Sequence, residues 1–475
     1  MNKGSQPENG QTGKQALFAS VPVPKALMTM AIPTIISQVI NLLYNMVDTF
    51  YIGRTGNSYM MAATTVTLTL VMLNVALSGL FGIGGGSTVA RLMGAQRPDK
   101  ARQVSAFCLY GSAAVALVIS LLLGAFLNPV LSFLGASSAT LSYARSYALI
   151  VMVIGGMPSL VSLTLAHLLR NAGYSREASL GLSGGGILNL ILDPLFMFVL
   201  LPRGQEVTGA ALATTISNTC ACLYLLWVFR RRAGEGAPLS LSLRTARSIR
   251  ASLVRDVLNV GVPSAVLTGL FDVANICLNI LAAAHSDLVL AGIGIVLKVE
   301  RLPNAVNLGI CQGMLPIVAF NYASGNHVRM RETIRTARLA GLAISATCIL
   351  LFEAFAPAVC RVFLSTTAGN AETALRTVAY ATLFLRIRAL ASPMQFLNYN
   401  TSYCMQAMGM GKATMLHAIV REMVFYIPFM IVFDRIFGEI GLVAALPVGE
   451  TCGALFALFL LFRALGVMNR KEEPQ

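Results

Sequence analysis

Residues 183–200 read SGGGILNLILDPLFMFVL, and this stretch decides the class of fold. It is apolar at most positions and continues an apolar run long enough for a membrane-spanning helix, which needs about 20 residues. Strands of a membrane barrel would instead show about ten residues of strict alternation. Twelve apolar stretches of this kind follow one another along the chain. We therefore expect an all-α polytopic membrane protein with twelve transmembrane helices.

The composition agrees with a protein that is surrounded mostly by lipid. Apolar residues make up 56% of the 475-residue chain and charged residues 12%, where soluble domains have about 25% charged residues. So few charges could not cover the surface of a soluble protein, which excludes a soluble multidomain enzyme as well as a disordered or fibrous chain. The net charge of +15 is explained by basic loops that fix membrane topology, so we expect no nucleic-acid partner.

The Lys and Arg residues of the loops predict the orientation. If the N-terminus is cytoplasmic and the spans alternate, 24 basic residues lie in cytoplasmic loops and tails and six in loops on the other side. This bias is the positive-inside pattern. It predicts a multi-pass protein of the cell membrane, inner or plasma, with cytoplasmic N- and C-termini. The polar residues 1–20 predict a short unstructured tail rather than a cleavable signal peptide.

A long basic loop at residues 229–256 divides the chain into two halves of six spans. Residues 31–34 (AIPT) match residues 261–264 (GVPS) at an offset of 230, and Gly209 matches Gly441 at an offset of 232. An even number of spans gives both halves the same orientation, which predicts two six-helix lobes related by a pseudo-two-fold axis along the membrane normal. The predicted organisation is a cytoplasmic tail at 1–24, a first lobe at 25–230, a cytoplasmic basic linker at 231–255, a second lobe at 256–465 and a cytoplasmic tail at 466–475.

The first span carries four polar residues that are three or four positions apart and so share one helix face. They are Gln38, Asn41, Asn45 and Asp48. Because lipid would leave amides without hydrogen-bond partners, we expect this stripe to face the interior of the bundle. Pro33, nearer the start of the span, removes a backbone hydrogen bond and allows the helix to bend. The alternative for Asp48 is an interfacial position, since the span ends soon after it.

The fifth and sixth spans add further polar groups at membrane depth. Asn189 and Asp193 are four residues apart and share one helix face, and Thr214 offers a hydroxyl near the start of the sixth span. Two neighbouring carboxylates, Asp48 and Asp193, could take up a proton or hold a small hard cation, which is the chemistry of a coupling-ion site. The alternatives are a helix-packing Asn, a strained Asp–Pro turn and a threonine hydroxyl satisfied by its own backbone.

The second half carries other charges inside its spans. Asp272 and Glu300 are the candidates for a cavity that attracts cationic substrates, because an ionisable group in the membrane is costly without a function or a partner. The alternative is that Lys298, Glu300 and Arg301, which are near neighbours in sequence, neutralise one another.

Signatures of enzymes and cofactor sites are not found in the sequence. The nine cysteines and four histidines are scattered without zinc-ligand spacing. The phosphate-binding motif GxxxxGK followed by Ser or Thr is absent, so ATP is not the expected energy source. We expect no catalytic residues, no cofactor, and no metal other than Na⁺ at the coupling-ion site.

Several motifs resemble the multidrug and toxic compound extrusion (MATE) transporters. The first half contributes NMVDTFYIG at 45–53, GGGILNLILDPLFMF at 184–198 and TGAALATTISN at 208–218. The second half contributes QGMLPIVAFNYASGN at 312–326 and GEIGLVAALPVGE at 438–450. The resemblance covers residues 25–465 and is strongest to the bacterial DinF-like or MepA-like branches.

The resemblance implies a cation site in the first lobe. The family's aspartate of the first span falls on Asp48, its fifth-span pair on Asn189 and Asp193, and its sixth-span threonine on Thr214, with Thr215 as the register alternative. Other branches place a cation on carboxylates of the seventh and tenth spans. Here the seventh span has Asp272, but the tenth has Arg386 and Arg388, with Glu372 only at its edge. This departure puts a second-lobe cation site of that kind in doubt.

The function implied by the resemblance is secondary active antiport. The protein would export small organic compounds, often cationic or amphipathic, in exchange for H⁺ or Na⁺, as a monomer in the lipid bilayer. One alternative is a flippase of lipid-linked oligosaccharides from the same wider superfamily, for which Arg386 and Arg388 could supply a basic groove. The alternative from a different class is an ion channel.

Overall fold

The computed structural model describes residues 13–234, 236–362 and 371–472. The described chain is almost entirely helical and contains no β-strand within these ranges. This confirms the all-α fold class that the apolar stretches predicted.

The first half of the chain forms eight α-helices and two π-helical segments. In chain order they are α1 (Gly13–Ala19), α2 (Val23–Arg54), α3 (Ser58–Gly94), α4 (Pro98–Phe133), α5 (Ser138–Ala148), a π-helix (Leu149–Ile154), α6 (Gly156–Asn171), α7 (Ser175–Pro194), a π-helix (Leu195–Leu200) and α8 (Glu206–Arg232).

The rest of the chain forms another eight α-helices and one π-helical segment within its described residues. They are α9 (Leu243–Arg247), α10 (Ala251–His285), α11 (Asp287–Ala323), α12 (His327–Val362), α13 (Ala371–Ala389), α14 (Ser392–Ala407), α15 (Gly411–Ile419), a π-helix (Val420–Tyr426) and α16 (Ile427–Glu472).

These helices account for the twelve predicted spans. Eight described segments are long and apolar enough to cross a membrane, and the bent pair Ser138–Ile154 and Gly156–Asn171 makes a ninth. One of the eight, Gly411–Gly466, contains two spans, because Gly438 breaks it with a backbone φ of 62°. Two further spans are α11, which carries Lys298, Glu300 and Arg301, and the pair α13 and α14, which carries Arg386 and Arg388. The layout is thus twelve helices in two six-helix lobes.

Local sequence signals explain where the helices begin and break. The Asn57 side chain accepts hydrogen bonds from the backbone N–H groups of Tyr59 (2.9 Å) and Met60 (3.4 Å), and so caps α3. Helix α4 has a non-helical residue, Phe126, at a kink. Helix α2 continues through Pro33 without a break, so bending at this proline stays a prediction.

The N-terminal segment is more ordered than its polar sequence predicted. Residues 1–12 lie outside the described part, but residues 13–19 form α1, so the prediction of an unstructured tail is wrong there. The Phe18 side chain is fully buried, with its ring 5.6 Å from that of Phe320. The Phe18 carbonyl also accepts hydrogen bonds from Asn321 and Arg329. An aromatic anchor and a satisfied carbonyl therefore hold this short helix in place.

The helices cluster into two compact units. Among the described residues, the first comprises those up to Ala265 together with Gln312–Thr333 and Ala407–Gly409, and the second comprises the remainder. The first unit thus includes helix ends that the sequence assigned to the second lobe, and the predicted lobe boundaries stay a prediction. The second unit is built around apolar residues of α10, α11, α13 and α16.

Candidate functional site

Helix α7 places two of the predicted site residues in the interior of the first lobe. Asp193 is fully buried and Asn189 is buried one turn before it. The Asn189 Nδ2 atom donates hydrogen bonds to Asp193 Oδ1 at 3.2 Å and to Thr214 Oγ1, on α8, at 3.3 Å. The structure therefore brings Asn189, Asp193 and Thr214 into one cluster.

Small residues allow α7 to approach its neighbours closely at this cluster. A Cβ atom added to Gly185 would lie 2.9 Å from the Cβ of Ala221 on α8, and one added to Gly186 would lie 3.1 Å from the Tyr44 ring on α2. Both distances are shorter than ordinary carbon contacts. The glycines before Asn189 therefore let α2 and α8 pack directly against the polar face of α7.

Asp48 comes to the same region from α2. It is partly buried and lies close enough to Asp193 for the two carboxylates to interact electrostatically. Three oxygens around the cluster are buried without a hydrogen-bond partner: Asp48 Oδ1, Asn189 Oδ1 and Asp193 Oδ2. Buried oxygens of this kind are costly unless a proton or a cation satisfies them. Carboxylate and amide oxygens are the ligands that small hard cations prefer.

Sequence reasoning missed two tyrosines beside the carboxylates. Tyr44 and Tyr147 both lie close enough to Asp48 and Asp193 to interact with them electrostatically, and Tyr147 lies near Thr214. Tyr44 is one turn before Asp48 on α2, so helical spacing alone could have identified it. Tyr147 lies on α5 with no local pattern that points to the site.

The structure also decides between the two threonines of the sixth span. The Thr215 hydroxyl donates a 3.1 Å hydrogen bond to the carbonyl oxygen of Ile150, which lies in the π-helix of the fourth span. Thr214, one residue earlier, points to Asn189 instead. Thr214 is therefore the threonine of the cluster.

The remaining polar residues of the first span do not join this cluster. Gln38 is partly buried, whereas Asn41 and Asn45 are exposed on α2. The Asn45 Nδ2 atom donates to the carbonyl of Asn41 at 2.7 Å and to its Oδ1 at 3.3 Å. Within the described ranges, no hydrogen bond links the three residues to Asp193 or Asn189. Of the predicted stripe, only Asp48 reaches the site.

The second-lobe candidates have different surroundings. The Glu300 carboxylate accepts two hydrogen bonds from Arg388 Nε and Nη2, both at 2.9 Å, and the Arg388 side chain is 4% exposed. The alternative in which Lys298 and Arg301 neutralise Glu300 is therefore wrong, because its hydrogen-bonded partner Arg388 comes from another span. Asp272 is half-buried, with Arg301 in electrostatic range. Glu300 is thus paired with Arg388, and Asp272 is the more available carboxylate.

Comparison with known proteins gives a consistent picture. The family described as MatE matches residues 33–200 and 263–432. The multidrug export protein MepA of Staphylococcus haemolyticus (strain JCSC1435) is 27% identical over 445 residues, which cover 94% of each chain. MepA of Staphylococcus aureus (strain MRSA252) is 26% identical over 445 residues, which cover 94% of this chain and 95% of the relative.

Solved structures of similar fold cover nearly the whole chain. An outward-facing multidrug resistance MATE family transporter of the MOP superfamily superposes with a TM-score of 0.88 at 22% identity, over 97% of this chain and 100% of the other. A MOP superfamily transporter from Pyrococcus furiosus has a TM-score of 0.88 at 22% identity, over 96% and 98%. At this level of identity, the similarity establishes the fold.

Proposed function

The chain belongs to the MatE family of transporters, in its MepA-like branch, and from this we propose that it is a secondary antiporter that exports organic compounds. The exported compounds would often be cationic or amphipathic, in keeping with the multidrug export ascribed to the MepA relatives. The exchanged ion would be H⁺ or Na⁺. The observation that carries the proposal is the buried Asp193 carboxylate, one oxygen of which has no hydrogen-bond partner; one buried oxygen of Asn189 and one of Asp48 also lack partners.

The site couples an ion to a conformational change through charge. Asp48 and Asp193 repel each other when both are ionised in a poorly hydrated bundle, and a bound proton or cation removes that repulsion. Release of the ion restores it and favours a different packing of α2 against α7. An ion that binds one arrangement more tightly than the other can therefore drive export.

H⁺ is our first choice of ion, because two interacting carboxylates titrate as a pair. Na⁺ is the second choice, since the carboxylate, amide and hydroxyl oxygens of the cluster are hard ligands. Purified protein in liposomes with a pH gradient or a Na⁺ gradient, each imposed alone at a clamped membrane potential, separates the two. Substrate uptake against its own gradient is expected with the pH gradient only.

The matched variants for this assay are Asp193→Asn and Glu353→Gln. Glu353 lies on α12 with a side chain that is 43% exposed, so its neutralisation should leave transport intact. Asp193→Asn keeps the size of the side chain but removes its charge, and we expect it to abolish uphill transport while the protein remains folded. Gradient-driven transport by folded Asp193→Asn at the wild-type rate would overturn the proposal.

Two alternatives differ from this proposal in what they require. A flippase for lipid-linked oligosaccharides would need free basic groups, but Arg388 is paired with Glu300, and Arg386 bonds to the Glu353 carbonyl at 3.1 Å. A channel would let the substrate equilibrate but would not concentrate it. Accumulation above equilibrium therefore separates an antiporter from a channel.

We place the protein in the cell membrane as a monomer with both termini and the basic linker on the cytoplasmic side. The charge bias of the loops supports this orientation. In a variant without the nine native cysteines, a membrane-impermeant thiol reagent should label Ser286→Cys in intact cells and leave Gly236→Cys unlabelled. Labelling of Gly236→Cys in intact cells would reverse the orientation.

A further inference from the structure

The second lobe contains a buried ionic cluster that the proposed coupling site does not use. Arg421 lies on the π-helix Val420–Tyr426, and its Nη2 and Nε atoms donate to the two carboxylate oxygens of Glu450, on α16, at 2.6 and 3.1 Å. The two side chains are 2% and 4% exposed. Asn398 Nδ2, on α14, donates to the same carboxylate at 2.6 Å. Glu450 therefore has the donors that an ionised carboxylate requires.

A chain of neutral groups continues from this pair. Because the Asn398 amide nitrogen faces Glu450, its Oδ1 atom is the acceptor of the 3.0 Å hydrogen bond with His417 Nε2. His417 Nε2 therefore carries a hydrogen, and its Nδ1 atom is free to accept from the Ser402 hydroxyl at 2.8 Å. His417 is buried and fully satisfied as a neutral imidazole. These hydrogen-bonded side chains therefore supply no second cation near Glu450.

Glu422, the residue after Arg421, lacks the hydrogen-bond donors that surround Glu450. Its side chain is 2% exposed, and its Oε1 atom has no hydrogen-bond partner. The nearest cationic atom is Arg421 Nε at 3.6 Å, and this atom already donates to Glu450. The titratable groups around Glu422 are Arg421 and Tyr426 on its own helix, Tyr399 on α14 and Glu450 on α16.

The charges of the cluster therefore do not balance when every acid is ionised. One guanidinium faces two carboxylates, and Glu450 takes its hydrogen bonds. A second carboxylate at this depth would be an uncompensated charge, which is far more costly than a neutral carboxylic acid. A proton on Glu422 balances the cluster without moving any other group.

We propose that Glu422 is a second proton-binding group of the transporter, located in the second lobe and separate from Asp48 and Asp193. Glu422 lies within a π-helix, and Asp193 is followed at Leu195 by another. A π-helical turn holds an extra residue, and its return to α-helix would rotate one side of the turn by about 100° relative to the other. Such a rotation would move Glu422 relative to Glu450 on α16 and Tyr399 on α14 and allow it to exchange its proton.

The proposal that this proton takes part in transport rests on the proposed function, but its binding can be measured without transport. Infrared difference spectra across a pH titration report the carbonyl absorption of a buried, protonated carboxylic acid. The protein is reconstituted in lipid with Asp48→Asn and Asp193→Asn, so the first-lobe carboxylates cannot contribute. We expect a protonated-carboxyl band to remain, to disappear with added Glu422→Gln, and to persist with Glu353→Gln.

Glutamine has nearly the shape of a protonated glutamate, so Glu422→Gln should fold. A Glu422→Asp variant provides a second measurement, because it should keep the band at a shifted frequency. Absence of the band before Glu422 is changed would overturn the proposal, as would survival of the band in folded Glu422→Gln. Both results are independent of whether Asp193 couples transport.

In the otherwise wild-type protein, Glu422→Gln should also lower the number of protons exchanged per exported molecule. An unchanged proton count and an unchanged pH profile would limit Glu422 to a structural role and overturn its part in coupling.

Discussion

The fifth and sixth spans of the first lobe correspond to the eleventh and twelfth spans of the second lobe, but different polar groups lie where each pair meets. In the first lobe, the fifth and sixth spans meet through Asn189 and Thr214, with buried oxygens left unpartnered nearby. At the sequence offset of 232 residues, Asn189 corresponds to Arg421. In the second lobe, the equivalent spans meet through the two hydrogen bonds between Arg421 and Glu450.

Helix packing supports this correspondence. Gly185 on α7 lies against Ala221 on α8 in the first lobe. The same offset leads from these two residues to His417 on α15 and Gly453 on α16, which also lie close together. The same two positions therefore meet in both halves, while the polar groups around them differ.

In a duplicated fold, one lobe can thus hold a permanent ion pair that stabilises it while the other keeps a site for an exchangeable ion. A guanidinium attached to the chain can neutralise a buried carboxylate permanently, whereas an exchangeable ion can do so only in part of the transport cycle. The second lobe has the attached cation, and the first lobe has the unpartnered oxygens. Removal of a charge should therefore affect folding in the second lobe and ion coupling in the first lobe.

The largest expected effect follows from removal of the attached cation. Arg421→Met would leave the Glu450 carboxylate buried without its partner, which costs about 3–5 kcal/mol for a broken buried pair. We expect low yield and a strongly lowered unfolding temperature in detergent. The double variant Arg421→Met/Glu450→Gln should recover most of the loss, because a glutamine can still accept from Asn398. A stable single variant would contradict the assigned role of the pair.

The next effect concerns the first lobe and should appear in transport rather than folding. Asp48→Asn and Asp193→Asn should each abolish uphill export in liposomes, with near-normal unfolding temperatures. The double variant should lose little more than either single variant, because residues that act as one unit are not additive. Independent, multiplicative losses from the two changes would show that the carboxylates do not share one ion.

The sequence predicts those features that depend on spacing along one helix. The twelve spans follow from apolar length, and the contact of Asn189 with Asp193 follows from their separation by one turn. Pairings between spans depend on helix rotation and approach, which single-sequence patterns do not specify. This is why the sequence offered only Lys298 and Arg301 as charge partners of Glu300, and not Arg388.

Two other features were beyond sequence reasoning for different reasons. The choice of Thr214 over Thr215 is set by the π-helix of the fourth span, which presents the Ile150 carbonyl to Thr215. The Arg421–Glu450 pair was hidden because its two residues lie on different helices. Both cases show that polar contacts between spans need the three-dimensional structure.

A smaller effect should separate the two acids proposed to attract cationic substrates. Glu300→Gln removes the charge that balances the buried Arg388, so we expect lower stability and an equal loss of transport for all substrates. Asp272→Asn removes a half-buried charge and should weaken export of cations more than of neutral compounds. Transport rates at equal protein levels, measured with one cationic and one neutral substrate, test this contrast. An equal loss for both substrates in Asp272→Asn would assign Asp272 a structural or coupling role.

The smallest expected effect distinguishes the two threonines of the sixth span. Thr214→Val keeps the shape of the side chain but removes the hydroxyl that accepts from Asn189. Loss of one such hydrogen bond costs roughly 0.5–1.5 kcal/mol, which is about a two- to tenfold weaker apparent affinity for the coupling ion. Thr215→Val loses only its bond to the Ile150 carbonyl, so it should lower thermal stability and leave the ion dependence unchanged. Initial rates of export measured over a range of coupling-ion concentrations give both affinities. A shifted ion dependence in Thr215→Val, with none in Thr214→Val, would move the sixth-span ligand by one residue and contradict the cluster.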